Sequence, residues 1–182
     1  MKLLIDAGHG GNDPGTSNGN YKEKNYTLSA TLKIASYLII LDPEIEIAFT
    51  RISDRTLSLK NRVDMIKMYK PDMFISIHFN APSSGTGFES FIRRKPTNYE
   101  LTIQAAIHDK IAIPLSIMGL KDRGMKLANF YVLRNSPYPA ILIEICFIAN
   151  LEDIRKYSAD AMSYYLTKAL AEGVHNALIK IC

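Results

Sequence analysis

The sequence predicts an α/β domain built on a mostly parallel sheet, and three observations carry that prediction. Short apolar runs alternate along the chain with segments whose apolar residues recur every three or four positions. Hydrophobic residues make up 47% of the chain and charged residues 22%, which is ordinary for a globular protein. A length of 182 residues suits one domain with one sizeable core.

The first half of the chain is predicted to contain three strands that alternate with two helices. Apolar residues at helical spacing mark the helices, and Pro43 and Pro71 separate them from the strands that follow. In chain order we predict a strand at Leu3–Ile5, a Gly- and Asn-rich loop over 8–20, a helix over 21–40, a strand at Ile45–Thr50, a helical stripe at Leu59, Val63 and Ile66, and a strand at Met73–His78.

The second half shows the same alternation. A turn is predicted at 83–85, and Pro114 and Gly119 are expected to close a helix. The other predicted elements are a strand at Phe88–Ile92, a helix at Leu101–Leu115, a short strand at Tyr131–Leu133, the strongest strand at Ala140–Phe147, and a final amphipathic helix whose apolar face runs from Met162 to Leu178. No repeat or hinge divides the chain, so we expect residues 1–182 to form a single domain.

Composition excludes several classes of protein. The net charge of +4 and the isoelectric point of about 9.0 favour contact with polyanions, but they are too mild to indicate nucleic-acid binding. The basic clusters at 93–95 and 121–126 lack the interleaved aromatic residues of single-strand binders, so no nucleic-acid partner is expected. Two cysteines, Cys146 and Cys182, are too few for a small domain that depends on disulfides.

Targeting signals are not apparent in the chain. The N-terminal apolar run ends at Asp6 and is far shorter than the roughly 7–15 residue core of a signal peptide. Charged residues interrupt every longer apolar segment before it reaches the roughly 18 residues that cross a bilayer. We therefore expect no transmembrane segment and a protein made in the cytoplasm.

Two of the four histidines follow predicted strands and are candidates for a binding site. His9 lies between glycines directly after the first strand, and His78 ends the strand that begins at Met73. Open α/β sheets place ligands at such strand ends, so the two imidazoles can converge on one point. His108 and His175 lie within predicted helices and are expected to be structural.

If these histidines bind a catalytic zinc, a third ligand is expected beside them, and a carboxylate is a common one. Catalytic zinc takes three protein ligands and leaves one position for water. Glu23 is the favoured candidate, because the first turn of the helix after the loop can face the same edge of the sheet. Asp6 and Asp13 are rivals, although Asp6 suits a brace for the loop and Asp13 suits a turn. A simpler explanation of Glu23 is that its charge only stabilises the helix N-terminus.

Glu144 is the one carboxylate in the apolar strand Ala140–Phe147. Burying an unpaired charge costs several kcal/mol, so this side chain must be paired, protonated or directed into a cleft. In a cleft that holds a metal, it can accept a proton from water and deliver it to a leaving nitrogen. A structural salt bridge to Arg123 or Arg134 is the alternative.

These motifs together resemble a known enzyme family. The segments that carry the resemblance are His9–Gly15, Glu23, Ser76–Asn80, Val132–Arg134 and Pro139–Asn150, with Thr50, Arg51, Asp54, Leu59 and Arg62 between them. They are similar to the zinc-dependent N-acetylmuramoyl-L-alanine amidases of type 3, which act in bacterial cell-wall turnover and phage lysis. The resemblance covers nearly the whole chain.

The resemblance implies a Zn²⁺ ion held by His9, Glu23 and His78, with Glu144 as the catalytic acid and base. It implies a twisted, mixed but mostly parallel sheet flanked by helices on both faces, similar to zinc carboxypeptidases and aminopeptidases. The implied substrate is peptidoglycan, cut at the amide between N-acetylmuramic acid and the L-alanine of the stem peptide. Glu89 and Asn80 are then expected to lie behind the zinc ligands and support a zinc-binding histidine.

Cys146 departs from the family pattern, which usually has glycine at this position. It raises an alternative in which Cys146 is a nucleophile and His78 its base, although an apolar strand better suits an inert thiol. Other motifs are incomplete: the glycine-rich loop lacks the third glycine of a dinucleotide fingerprint, and the chain has neither a P-loop nor a Gly-x-Ser-x-Gly elbow.

We expect a catalytic domain from a phage endolysin of a Gram-positive host, held in the host cytoplasm until lysis and then acting on the cell wall. A C-terminal wall-binding domain, absent from this chain, is an expected partner of such an enzyme. A bacterial autolysin whose signal has been removed is the alternative source. A zinc peptidase cutting within the stem peptide and a peptidoglycan-binding module without catalysis are the alternative functions.

Overall fold

The computed structural model describes residues 1–81 and 84–181, apart from the side chain at position 160. Ser83 of the predicted turn and the C-terminal Cys182 lie outside the described residues. The described chain folds into a mostly parallel six-stranded sheet with helices on both faces, which confirms the predicted fold class.

The described strands and helices follow one another closely along the chain. The strands are β1 (Lys2–Ala7), β2 (Ser17–Asn18), β3 (Tyr21–Lys22), β4 (Glu46–Phe49), β5 (Met73–Asn80), β6 (Phe88–Arg93), β7 (Asp122–Ala128) and β8 (Ala140–Phe147). The helices are α1 (Glu23–Leu41), α2 (Leu59–Tyr69), α3 (Asn98–Met118), α4 (Tyr131–Arg134), α5 (Leu151–Ser158) and α6 (Asp160–Ile181). Strands β2 and β3 form a separate small hairpin just before α1.

The main sheet has the strand order β4-β1-β5-β8-β6-β7. All neighbouring strands in it are parallel except β6 and β8, which run antiparallel. From β1 the chain moves to β4 on one side, then returns to β5 on the other. The crevice between the ends of β1 and β5 is therefore a topological switch point, where open α/β sheets bind ligands.

Each face of the sheet carries its own apolar layer. The larger layer joins the odd-numbered β1 residues Leu3 and Ile5 to helices α1, α3 and α6. The smaller layer joins Leu4 of β1 and Phe74 of β5 to α2 and α4. Because side chains alternate across a strand, residues such as His78 and Glu144 share the face of the smaller layer. This thinner covering leaves room for a cleft at the strand ends.

One predicted element is wrong: the segment predicted as a strand at Tyr131–Leu133 is the short helix α4. A short apolar run does not distinguish a strand from a helical turn, so the pattern alone could not decide. The consecutive residues Val132 and Leu133 are both buried in the smaller layer, which a strand with one covered face does not allow. The Arg134 N–H donates to the carbonyl of Phe130 and closes the turn.

The second half contains two elements that the sequence pattern did not reveal, β7 and α5. Strand β7 is one of the two outer strands of the sheet, and its polar side chains replace the apolar run of a central strand. Helix α3 is longer than predicted, since Pro114 lies inside it. It begins at a capping box formed by Thr97 and Glu100 and ends at Gly119, whose φ of 59° is in the left-handed region.

Candidate active site

A cleft of about 790 Å³ opens at the crevice between β1 and β5. Its walls come from the loop after β1, the start of α1, the start of α2, the end of β5, the segment leading into α4, and the middle of β8. His9, Glu23, His78 and Glu144 all line it. Four residues singled out from the sequence therefore meet in one cavity.

His9, Glu23 and His78 converge inside the cleft. One carboxylate oxygen, Glu23 Oε1, lies 3.1 Å from His9 Nε2 and 3.1 Å from His78 Nδ1. The rings of His9 and His78 meet edge to face with centroids 5.0 Å apart. Each residue offers one ligand atom, and the three atoms lie within 4.8 Å of one another. The arrangement can hold a metal ion.

Further contacts orient the two imidazoles and the carboxylate. His9 Nδ1 lies 2.8 Å from Asp13 Oδ2, which leaves Nε2 directed toward Glu23. The backbone N–H of Thr16 donates to Glu23 Oε2, and that of Phe79 donates to Glu23 Oε1. Asp13 is thus a partner of His9 as well as a turn residue, a role that the sequence analysis did not assign. Metal-binding histidines commonly have such a carboxylate on the second ring nitrogen.

Two glycines provide space for these side chains. A Cβ atom at Gly8 would lie 2.3 Å from His78 Cε1, so the imidazole fits only because position 8 has no side chain. A Cβ atom at Gly15 would lie 2.6 Å from Glu23 Oε2 and 2.7 Å from His9 Cδ2. Gly15 also has a φ of 63°, which favours glycine.

His9 itself is in a strained conformation with a φ of 59°. Two buried arginines brace the loop that carries it. Arg51 donates to the carbonyls of Ala7 and Gly8, and Arg62 donates to the carbonyls of Ala7 and His9. Both arginines are among the family-like positions of the sequence, but their role is not visible there, because their acceptors are backbone groups that come together only in the fold.

Asp6 anchors this brace, as the sequence analysis expected of it. Its carboxylate accepts hydrogen bonds from Arg62, from Thr50 Oγ1 at 2.5 Å and from Ser76 Oγ at 2.7 Å. Burial by itself raises the pKa of Asp6, but the Arg62 guanidinium and the two hydroxyls outweigh burial and hold the pKa below its usual value. Asp6 is therefore a buried, hydrogen-bonded anion in the wall of the cleft.

Electrostatics couple His9 to Glu23. Burial by itself raises the pKa of Glu23, but hydrogen bonds and charge interactions with His78 and His9 outweigh it and hold the pKa well below its usual range. Burial works against protonation of His9, yet Glu23 and Asp13 raise the pKa of its imidazole overall. Glu23 is ionised at neutral pH, the state in which a carboxylate binds a metal.

Glu144 faces the cleft from β8, directly opposite His78 of β5 in the register of the sheet. Its Oε2 atom is buried and has no hydrogen-bond partner among the described residues. Burial, followed by the charges of Glu23 and Glu89, raises the pKa of Glu144 well above its usual value. The alternative of a salt bridge is not what the structure has, because Arg123 pairs with Glu89 and Arg134 donates to the carbonyl of Asn129.

Glu89 lies on β6 directly opposite Glu144, and Asn80 Nδ2 donates to it. Its other hydrogen-bond partners are Arg123 and Lys126. Glu89 and Asn80 were expected to support a zinc-binding histidine, but they bond to each other, and the carboxylates next to the histidines are Glu23 and Asp13. Glu89 instead lies behind Glu144.

Cys146 points away from the cleft because β8 contains an irregularity. The register with β5 shifts between the pairs His78–Glu144 and Asn80–Phe147, so strict alternation is lost after Glu144. Cys146 is buried in the larger apolar layer, and burial raises the pKa of its thiol well above the usual value. An inert core thiol fits these facts, and a nucleophile paired with His78 does not.

The remaining histidines lie elsewhere. His108 packs in α3, where its Nε2 lies 2.7 Å from Ser90 Oγ and its ring meets Phe88 edge to face. His175 lies on α6 with Asp42 3.7 Å away. Neither lines the cleft.

A protein-family comparison decides the class to which this cleft belongs. The protein-family model described as N-acetylmuramoyl-L-alanine amidase matches residues 3–176, which is nearly the whole chain. The chain belongs to that family. Its class of activity is therefore that of a peptidoglycan amidase, in agreement with the resemblance found in the motifs.

Curated relatives and solved structures agree with the family. The N-acetylmuramoyl-L-alanine amidase CwlM of Bacillus licheniformis is 35% identical over 177 residues, covering 97% of this chain and 68% of CwlM. The endolysin of Bacillus phage SPP1 is 34% identical over 178 residues, covering 97% of this chain and 65% of the endolysin. The crystal structure of an N-acetylmuramoyl-L-alanine amidase from Clostridium difficile 630 superposes with a TM-score of 0.86 at 32% identity, covering 96% of this chain and 94% of that one.

Within the residues described, no helix combines the length and the apolar character that crossing a bilayer requires.

Proposed function

We propose that this amidase is a zinc-dependent hydrolase that cuts the amide between N-acetylmuramic acid and the L-alanine of the peptidoglycan stem peptide. One observation carries the proposal: a His-Glu-His ligand set lines the same cleft as a buried carboxylate oxygen that has no hydrogen-bond partner among the described residues. Membership of the N-acetylmuramoyl-L-alanine amidase family supports this assignment of the substrate and of the bond that is cut.

The donor set fits zinc in its chemistry. Two imidazole nitrogens and one carboxylate oxygen are the ligands that catalytic zinc sites use, with one position left open. The alternative metals that prefer oxygen alone, such as Mg²⁺ and Ca²⁺, fit less well. Glu144 Oε2, which is buried and has no hydrogen-bond partner among the described residues, fits a group that would bind water or substrate in the cleft.

The residues of the cleft have different roles in this proposal, and the first of these roles is to bind and position the metal. His9, Glu23 and His78 would hold the metal, and Asp13 orients the imidazole of His9 so that Nε2 is directed toward Glu23. Bound zinc supplies a Lewis acid that polarises the scissile carbonyl and lowers the pKa of water. Arg51 and Arg62 hold the backbone of the His9 loop in its strained conformation, so the ligand set is in place before substrate arrives.

Glu144 moves the proton. Its carboxylate accepts a proton from the attacking water and then donates it to the nitrogen of L-alanine as the carbon–nitrogen bond breaks. The surroundings that raise its pKa favour the protonated state, which the second step requires. Water supplies the hydroxyl of the new lactyl carboxylic acid, and the proton completes the new amine.

The deciding experiment combines metal analysis with product analysis. We expect about one zinc per purified chain, loss of activity on chelation and recovery with zinc. Digestion of purified peptidoglycan should release free N-terminal L-alanine while the cross-links remain. New termini from later stem residues would indicate a peptidase, and binding to walls without any product would indicate a binding module; either result contradicts the proposal.

Matched variants strengthen this experiment. Glu23→Gln removes the ligand charge and should lower zinc content and activity together, whereas Glu152→Gln removes an exposed charge at the start of α5 and should change neither. Full zinc content in the Glu23→Gln protein would contradict the ligand assignment.

We also propose that the enzyme acts as a phage endolysin, held in the host cytoplasm until lysis. Support comes from the similarity to the endolysin of Bacillus phage SPP1. Expressed inside a Gram-positive host, the chain should cause lysis only when a holin is produced with it. Lysis without a holin would contradict this localisation.

A further inference from the structure

Two cationic side chains close to Glu144 take no part in the proposed metal binding or proton transfer. Arg123 and Lys126 lie on the outer strand β7, and both form ion pairs with Glu89. Their side chains are 30% and 36% exposed, so solvent and ligands can reach them. Together they place two positive charges around one carboxylate, which leaves a surplus of positive charge.

The strand order places these cations on one particular side of the cleft. His78, Glu144 and Glu89 lie side by side on β5, β8 and β6. Strand β7 comes next, so a line across the sheet runs from the metal ligands to Glu144 and then to the cations. Neighbouring strands are separated by about 4.8 Å, so Glu89 is about one strand spacing beyond Glu144.

The direction of this line indicates which side of the cleft holds the peptide part of the substrate. Glu144 donates its proton to the nitrogen of L-alanine, so the peptide side of the broken bond leaves on the side of Glu144. An extended peptide advances roughly 3.3–3.6 Å per residue, so the residue after L-alanine reaches the vicinity of Glu89. Asn80 joins the two regions, since it lines the cleft and donates to Glu89.

Arg123 keeps hydrogen-bonding capacity for a ligand. Its Nε donates to Glu89 Oε2 at 2.9 Å, and its guanidinium lies 4.9 Å from the centroid of the Phe147 ring. No hydrogen bond from its two terminal nitrogens is found among the described residues. Glu89 and Phe147 thus fix the plane of a guanidinium that still has free donors, as in an anion-binding site.

We propose that Arg123 and Lys126 bind the free carboxylate of the residue that follows L-alanine in the stem peptide and so select for it. That residue is a D-glutamate joined to the next residue through its side chain, and its α-carboxyl group is either free or amidated. The assignment rests on the proposed function, because it takes the direction of the substrate from the amide that is cut.

A pair of substrates tests this assignment. The two substrates are N-acetylmuramoyl tetrapeptides with D-isoglutamate or D-isoglutamine at the second position. They differ only in that the first has an α-carboxylate where the second has an α-carboxamide. We expect kcat/KM to be about tenfold higher for the carboxylate form, the effect of a charge-assisted contact in a partly exposed site. Equal rates on the two substrates would overturn the assignment.

Variants locate the source of the preference. Lys126→Met and Arg123→Met should each reduce the preference, and the double variant should bring it to within about twofold. Lys126→Arg keeps the charge and should retain most of the preference. Lys168→Met, which removes a charge from the exposed face of α6, should retain all of it.

The ratio of the two rates separates selection from a general loss of activity. Removing a cation beside Glu89 also affects Glu144, but that effect acts on both substrates alike and leaves the ratio unchanged. A preference that survives the double variant would overturn the assignment. If the wild-type protein releases L-alanyl peptide from neither substrate, the proposed function fails first and this inference fails with it.

Discussion

Asp6 and Glu144 both line the same cleft, yet their surroundings are opposite. Asp6 accepts hydrogen bonds from Arg62, Thr50 and Ser76, and these partners hold its pKa low although burial opposes this. Glu144 has a buried oxygen without a partner among the described residues, and burial raises its pKa. One carboxylate is a satisfied anion, and the other favours a proton.

The difference teaches how to tell a structural carboxylate from a functional one. A buried anion with all its bonds made stabilises the structure around it, here the loop that carries His9. A buried oxygen left unpaired costs stability, and it persists where function requires it. The comparison is open to direct tests, because each carboxylate can be replaced by its amide.

The largest expected effect is on catalysis in Glu144→Gln. Loss of the proton carrier should lower kcat by about 10²–10⁴-fold, because the amide can neither accept nor return a proton. Unfolding should occur at the same temperature or higher, since burial raises the pKa of Glu144 and so makes this carboxyl group cost stability above about pH 4, a cost that a neutral amide does not have. Assays on purified peptidoglycan with a parallel thermal melt check both parts. Retained clearing of walls would show that Glu144 is not the acid and base.

The next effect is on stability in Asp6→Asn. Breaking the pair with buried Arg62 should lower the free energy of unfolding by about 3–5 kcal/mol, because the guanidinium loses its counter-charge. Asp64→Asn is the control, since its pair with Lys60 is exposed and screened by solvent, so that its loss should hardly change the free energy of unfolding. Urea melts measure both. Similar losses in the two variants would remove the distinction between a buried and an exposed pair.

The pH dependence of stability should differ in sign between the two carboxylates. The pKa of Asp6 is lower in the folded state than in the unfolded chain, so its stabilisation is present above about pH 4 and is lost as the pH falls through the folded pKa. The pKa of Glu144 is higher in the folded state, so stability relative to Glu144→Gln falls as the pH rises above about 4. Melts with chelator present compare each variant with wild type; slopes of the same sign would contradict the comparison.

The smallest effect is expected from Cys146→Ala, in which a thiol is removed from the apolar core. The cost should be about 1 kcal/mol of stability, from the lost packing, with activity unchanged. A thiol-alkylating reagent should likewise leave the native enzyme active. Loss of most activity in the alanine variant, with a normal melting curve, would show that Cys146 takes part in catalysis.

The elements predicted from the sequence were those with a strong periodic signal. The apolar run around Ile141–Ile145 and the helical stripe of α1 are set by which residues must be buried, so their pattern can be read without the fold. Strand β7 was missed because an outer strand needs no apolar run, and α4 was misassigned because four residues are too few to show a period.

The candidate site divides in the same way. Glycines around His9, strand-end positions and one acidic residue in an apolar strand were visible in the sequence, and they led to His9, Glu23, His78 and Glu144. The partners of these residues were not visible. Asp13 and Arg62 act through contacts with His9 that are defined by loop conformation, and the position of Glu89 beside Glu144 follows from the strand order.

The sequence by itself determined the fold class, the family and the candidate residues that meet in the cleft, because burial pattern and residue type are local properties. Only the tertiary structure decided how those residues act on one another. Parallel pairing of β1 with β5 brings His9 to His78, and the register shift that follows Glu144 in β8 places Cys146 in the core while Glu144 faces the cleft. Such pairings join positions far apart in the chain, and no local pattern records them.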